Sequence, residues 1–297
     1  MTKFVRLLPM LLPTLLVLAG CGPHCAAPSG TSLSALPLGQ ARAAHVTKLL
    51  LHGPSPQSFD GGMPPDVRSV TFVSQGRTLF GWLALPTSPG LHPGLLYAHG
   101  GFALAKADID DVRPFVQAGY IVFAPAWRGE DGNPGDFQML YGEVNDASAA
   151  LDTLAQVPGV DPHRLFAAGH SVGGTTMMLL AESTTKLRGA AACGGFPDMR
   201  GAIEETGKST FEETPFDWYD PLESDLRSPA RHLGDLHCPL DLFYGEQEDH
   251  YIEQGGRMRA DAQASRKAVS VTMVPGADHF AALGPAVQKM IVRFNSE

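Results

Sequence analysis

Several things are scarce in this chain of 297 residues. Lys and Arg number 22 against 31 Asp and Glu, a formal charge of −9, so the basic footprint of a nucleic-acid partner is missing. No stripe of aromatic and basic residues stands in for it. Neither a His-x-x-x-His nor a Cys-x-x-Cys pair occurs, which removes the usual scaffolds of a metal hydrolase, and no metal or cofactor is expected. The acids Asp108–Asp111 read as a helix start. Cysteines number four, Cys21, Cys25, Cys193 and Cys238. Cys193 ends one expected strand and Cys238 begins the next, at opposite ends of a parallel sheet, so a bridge between them is excluded and both read as buried thiols. No internal repeat is evident. What remains, 44% hydrophobic and 18% charged, suits one sizeable globular core.

The first 21 residues differ from the rest. Lys3 and Arg6 precede the apolar run "LLPMLLPTLLVLAG", too short and too rich in proline for a spanning helix. Leu18–Ala19–Gly20–Cys21 resembles the lipobox of bacterial lipoproteins. The resemblance implies a signal peptide over 1–20, lipidation of Cys21 and an exported, membrane-anchored protein of the cell envelope. Gly22 after the cysteine points to the outer membrane in a Gram-negative host. Residues 21–65 are rich in Pro, Gly, Ser and Ala and are expected to be a tether, with "VTKLLLHG" at 46–53 left unplaced.

A domain is expected over 66–297. "SVTFVSQGRTLFGWLALP" alternates around Gln75–Gly76 as a hairpin. Short apolar runs then alternate with helical stretches at 108–118, 138–156, 173–185, 253–266 and 283–294. Apolar runs of this kind fit strands buried on both faces. The reading is an α/β fold, a mostly parallel central sheet flanked by helices. Residues 196–237 break the alternation and read as a lid-like insertion.

The candidate chemistry falls at the carboxyl ends of the strands, where open α/β sheets bind ligands. "GHSVG" sets Ser171 between Gly169 and Gly173, after one strand and before one helix, as a nucleophile elbow requires. A hydroxyl needs a base, and His279 follows the last strand; of the competitors, His99 is assigned to shaping its loop and His170 is too close in the chain. The acid that orients the histidine is Glu248 or Asp249 in "EQEDHYIE". "HGGF" supplies glycines for an oxyanion hole, with donors expected from the amides of Phe102 or Gly101 and of Val172. Phe211, Phe216, Trp218 and Tyr219 are candidates for an acyl pocket, or for packing alone.

Together these motifs, with "AGYIVFAPAWRGEDG" and "VDPHRLFAAGHSVGG", resemble the α/β-hydrolase superfamily and, within it, the catalytic domain of the prolyl oligopeptidase family of serine peptidases. The resemblance spans roughly 68–295. It implies a serine hydrolase that forms an acyl-enzyme on a peptide, or as an alternative on a small carboxyl ester. Three departures stand beside it: no propeller domain is expected ahead of the hydrolase domain, Glu248 stands where Asp is usual, and no proline follows the two glycines. The first leaves peptidase specificity open, and the other two leave room for a reading of another class, a catalytically degenerate binding lipoprotein.

Overall fold

The computed structural model describes residues 33–58, 61–206 and 214–297. The expected signal peptide, Cys21, Cys25 and Phe211 lie outside the described residues. The strands are β1 (Arg68–Ser74), β2 (Arg77–Ala84), β3 (His92–Ala98), β4 (Ile121–Pro125), β5 (Val160–His170), β6 (Gly189–Cys193), β7 (Leu240–Gly245) and β8 (Val269–Val274). They form one sheet in the order β1-β2-β4-β3-β5-β6-β7-β8. The hairpin β1–β2 is antiparallel, joins β4 antiparallel, and every later pairing is parallel. The expected α/β-hydrolase fold is therefore present.

Helices cover both faces, as continuously apolar strands require. Successive residues of β3 alternate between the two layers: Leu95 and Tyr97 face α2 (Lys106–Gln117) and α8 (Leu283–Asn295), while Leu96 and Ala98 face α3 (Gly142–Leu154) and α4 (Val172–Ser183). Alanine and glycine in β5 and β6 let helices approach closely, and Phe166 of β5 stacks on Phe294 of α8 with ring centres 4.6 Å apart. Cys193 and Cys238 are free and buried.

The tether reading of 21–65 is corrected over its described part. Residues 38–44 form α1, with Leu38 and Ala41 completely buried, and Leu49 bridges Phe216. Helix α1 is seven residues long, too short for its apolar spacing to stand out among neighbouring Pro, Gly and Ser. What holds the segment is charge. The buried Arg42 guanidinium donates to the carbonyls of Leu140 (3.2 and 3.3 Å), Leu226 (2.6 Å) and Tyr141. Glu223 accepts from Thr47, from the Lys48 amide, from His45 and from Arg227.

The same arginines explain a displaced helix start. The pattern predicts a helix from 138, but Met139 and Leu140 hold φ angles of 49° and 63°, and α3 begins at Gly142. Left-handed backbone at such bulky residues is strained and persists where the surroundings over-determine it. Here Arg227 donates to Met139 O at 2.7 Å and Arg42 to Leu140 O. The excursion 196–237 contains α5 (Met199–Thr206) and α6 (Pro221–Asp225). Phe216 is buried under the Arg227 guanidinium, a packing role, while Trp218 stacks on the exposed Tyr219. Among the described residues no helix is long and apolar enough to cross a membrane.

Candidate active site

Ser171 stands between β5 and α4 with φ 53° and ψ −125°, a conformation that a non-glycine residue adopts only under constraint. Its amide donates to Cys193 O at 2.8 Å, and its carbonyl accepts from Thr175 at 3.2 Å to begin the helix. The flanking glycines are steric necessities. A Cβ on Gly169 would lie 2.3 Å from Gly173 O, and one on Gly173 would lie 2.3 Å from the carbonyl oxygens of Ala98 and His99. The loop after β3 abuts the serine: a Cβ on Gly100 would sit 3.5 Å from Ser171 Cβ.

His279 lies between β8 and α8, partly exposed, and its Nδ1 meets Glu248 Oε1 at 2.6 Å. The other carboxylate oxygen accepts from the Gly245 amide at 2.6 Å, so Glu248 is aimed from both ends. A carboxylate at this distance favours the tautomer with its proton on Nδ1. Between the two acids left open by the sequence, the structure brings Glu248 to His279; Asp249 is exposed at the first turn of α7 (Asp249–Ala264). Gly194 was not anticipated. With φ at 64°, it backs the pair so closely that a Cβ would lie 2.6 Å from the His279 ring, and "CGG" after a strand is its only sequence signal.

His170 donates from Nε2 to the His279 carbonyl at 3.1 Å and lies against its ring, 4.8 Å between centres. Burial keeps its pKa below the ordinary value, so it is neutral and steadies the His279 loop. His99 shapes the β3 loop as expected, through a partner the sequence did not reveal. Buried at 1% exposure, it pairs Nε2 with Glu130 at 3.1 Å and Nδ1 with Gly100 O at 3.0 Å. Burial alone would lower its pKa; the charge and hydrogen bond of Glu130 outweigh that and raise it to about 9. Glu130 also accepts from the Trp127 amide at 2.8 Å, which ties this loop to the one after β4.

The expected oxyanion donors divide. The Phe102 amide is engaged at 2.8 Å by the side-chain oxygen of Gln57, a residue from the supposed tether. Among the described residues the amides of Gly101 and Val172 have no partner. Phe102 packs edge-on against Phe137 at 5.1 Å, and Tyr251 lies 6.3 Å from His279. No group of three His, Cys, Asp or Glu is placed to hold a metal among the described residues.

Comparison with known proteins places the family and the fold. The profile of the Prolyl oligopeptidase family (peptidase family S9) matches residues 108–294, well over half of the chain. The chain belongs to the prolyl oligopeptidase family. By that membership it is a serine hydrolase with peptidase relatives. It is 30% identical over 194 residues to the uncharacterized peptidase YtmA of Bacillus subtilis, covering 61% of this chain and 73% of that protein. A second peptidase of that bacterium, YuxL, is 24% identical, with 73% of this chain and 35% of that protein covered. Among solved structures, a puromycin-hydrolyzing peptidase of Mycobacterium tuberculosis shares the fold (TM-score 0.68, 21% identity, 78% of this chain and 40% of that one). A Klebsiella pneumoniae protein described as a "putative dienelactone hydrolase" does so over nearly its whole length (TM-score 0.60, 22% identity, 78% and 98%). The chain thus spans less than half of YuxL and of the mycobacterial peptidase.

Proposed function

We propose that this family member hydrolyses short peptides through Ser171, His279 and Glu248. The observation that carries the reading is the 2.6 Å Glu248–His279 bond, set at the same sheet edge as a strained serine turn. Glu248 holds the imidazole in the tautomer whose Nε2 takes the Ser171 proton, and it stabilises the imidazolium that results. Ser171 Oγ attacks the carbonyl. The oxyanion is received by the Gly101 and Val172 amides, helped by the N-terminus of α4. His279 then protonates the leaving amine. Water, activated by His279 in turn, resolves the acyl-enzyme. Carboxyl esters need less help in departure than amines, so activated esters should also be turned over. The aimed histidine–carboxylate pair supports a working site over the degenerate binding lipoprotein.

The test is labelling with a fluorophosphonate followed by peptide mapping. The label is expected on Ser171, and Ser171→Ala is expected to fold normally while losing about a million-fold in kcat. A folded, unlabelled wild type would overturn the reading. The cell-envelope location is part of the same proposal and rests on Lys3, Arg6, the apolar run and Leu18–Cys21. Cys21→Ala should move the protein from the membrane to the soluble fraction, and retention on membranes would count against lipidation.

A further inference from the structure

Residues 51–57 reach the loop after β3 from outside the stretch 108–294 that the family profile covers. They are firmly seated. The Ser55 amide donates to Gly129 O at 2.9 Å, and the Ser55 hydroxyl donates to Phe102 O. Phe137 donates to Gly53 O at 2.9 Å, and Asp136 accepts from the Gly53 amide at 3.0 Å and pairs with His52 at 2.9 Å. Gln57 stands on this base. Because its Oε1 takes the Phe102 N–H, the two ends of its carboxamide are told apart, and the NH₂ group is left as a free, solvent-facing donor. Pro56, the neighbour of Gln57 in the chain, helps line a cavity of about 280 Å³ with Leu51, His52, Gly53, Pro54, Phe137 and Pro215. Since a cavity of about 150 Å³ holds benzene, this one has room for a large apolar side chain.

The chemistry of acyl transfer says which end of a substrate lies here. Around the attacked carbon, the oxygen turns to the Gly101 and Val172 amides and the leaving group must lie beside His279. The ring of His279 is flanked by Glu248, His170, Tyr251, Phe280 and Gly194, and among the described residues no hydrogen bond or ring contact joins it to 51–57. The remaining direction is that of the acyl chain. Gly100 abuts Ser171, and Phe102 is only two residues further along the loop. An extended peptide advances about 3.3 Å per residue. Gln57 is therefore within reach of the residue that precedes the scissile one.

We propose that residues 51–57 are a subsite for the acyl side of a peptide, with Gln57 Nε2 donating to the backbone carbonyl of the residue before the scissile one and the proline-lined cavity taking that residue's apolar side chain. The proposal rests on the hydrolytic reading of Ser171. It assigns specificity to a segment that composition marks as linker. Single amino acids and acetyl groups are too short to use it.

Four substrates separate the parts: p-nitrophenyl acetate, alanine p-nitroanilide, N-acetyl-alanine p-nitroanilide and N-acetyl-leucyl-alanine p-nitroanilide. The third adds the carbonyl and the fourth adds the side chain. Gln57→Ala and Gln57→Glu, made in the full chain, are expected to lower kcat/KM about tenfold on the last two, the worth of one net hydrogen bond. With Gln57→Glu, which keeps an acceptor for the Phe102 amide, the first two should change less than about twofold. A carboxylate at this position would still accept from Phe102 but could not donate, so a mere loop-holding role predicts that Gln57→Glu behaves as wild type. That result would overturn the proposal. So would an equal loss on all four substrates, or a gain on all four, which would make Gln57 an obstruction to the site. Fluorophosphonate labelling of Ser171 in both variants is the independent control: absence of label from wild type would sink the hydrolytic reading, whereas normal labelling with no anilide cleavage would sink the subsite alone.

Discussion

Of the two acids at the end of β7, only Glu248 reaches His279. Glu248 caps α7 from outside the helix, with φ −102° and ψ 53°, and its carboxylate folds back onto the Gly245 amide, whereas Asp249 enters the first helical turn and faces water. Residue type and motif spacing pull in opposite directions at this point, which is why the sequence left both open. Glu248→Gln is expected to reduce kcat by about four orders of magnitude, as loss of the orienting carboxylate does elsewhere. Asp249→Asn should stay within about twofold. Steady-state kinetics of the two variants, with circular dichroism to show both fold, would check this; comparable large losses would mean that Glu248 does not act alone. Cys193 has a different status despite lying next to the site. Burial pushes its thiol up to about 12, so it is an inert packing residue at neutral pH.

At the scale of the element, the turn between β5 and α4 is the feature most exposed to a single methyl group. Gly173, in the first turn of α4, abuts the backbone at the end of β3, where a Cβ would meet two carbonyl oxygens at 2.3 Å, and backbone has no rotamer with which to give way. Gly173→Ala is therefore expected to lower stability by about 1–3 kcal/mol and to slow fluorophosphonate labelling, because Ser171 must move with the helix start. Urea denaturation and labelling rate measure the two effects, and an unchanged labelling rate would show that the turn tolerates the shift. The strands and helices around this turn were readable, since continuous apolar runs and turn residues act locally. The start of α3 was not, because Met139 and Leu140 take left-handed backbone only under Arg42 and Arg227, two residues distant in the chain.

Over the whole molecule, residues 33–58 join parts that are far apart in sequence. They connect α1, the excursion through Glu223 and Arg227, and the β3 loop through Ser55 and Gln57. Glu223 is the hub of that attachment. Burial would raise its pKa, but Arg227 and the donors from His45, Thr47 and Lys48 outweigh this and lower it to about 2 from the usual 4.5. A depressed carboxylate pKa contributes stability that is complete above the unfolded value and is lost as pH falls through the folded one. The contribution should hold down to about pH 4.5 and vanish towards pH 2. Glu223→Gln, which leaves Arg227 buried without a counter-charge, should cost about 3 kcal/mol at neutral pH. In urea unfolding the gap between wild type and variant should narrow across that acid window; a constant gap would show that the Glu223 charge is not what fastens the segment.

Local pattern by itself determined the strands, the flanking helices, the serine elbow and the histidine after the last strand, because each depends on residues within one turn or strand of one another. Tertiary structure alone decided the rest. Glu248 is separated from His279 by 31 positions, and Gln57 from Phe102 by 45. The choice between Glu248 and Asp249, the division of the loop amides, and the docking of the supposed tether all arise from such distant pairs. A hydrogen bond across that separation leaves no periodicity in the chain, and exists only once the core has brought its two ends together.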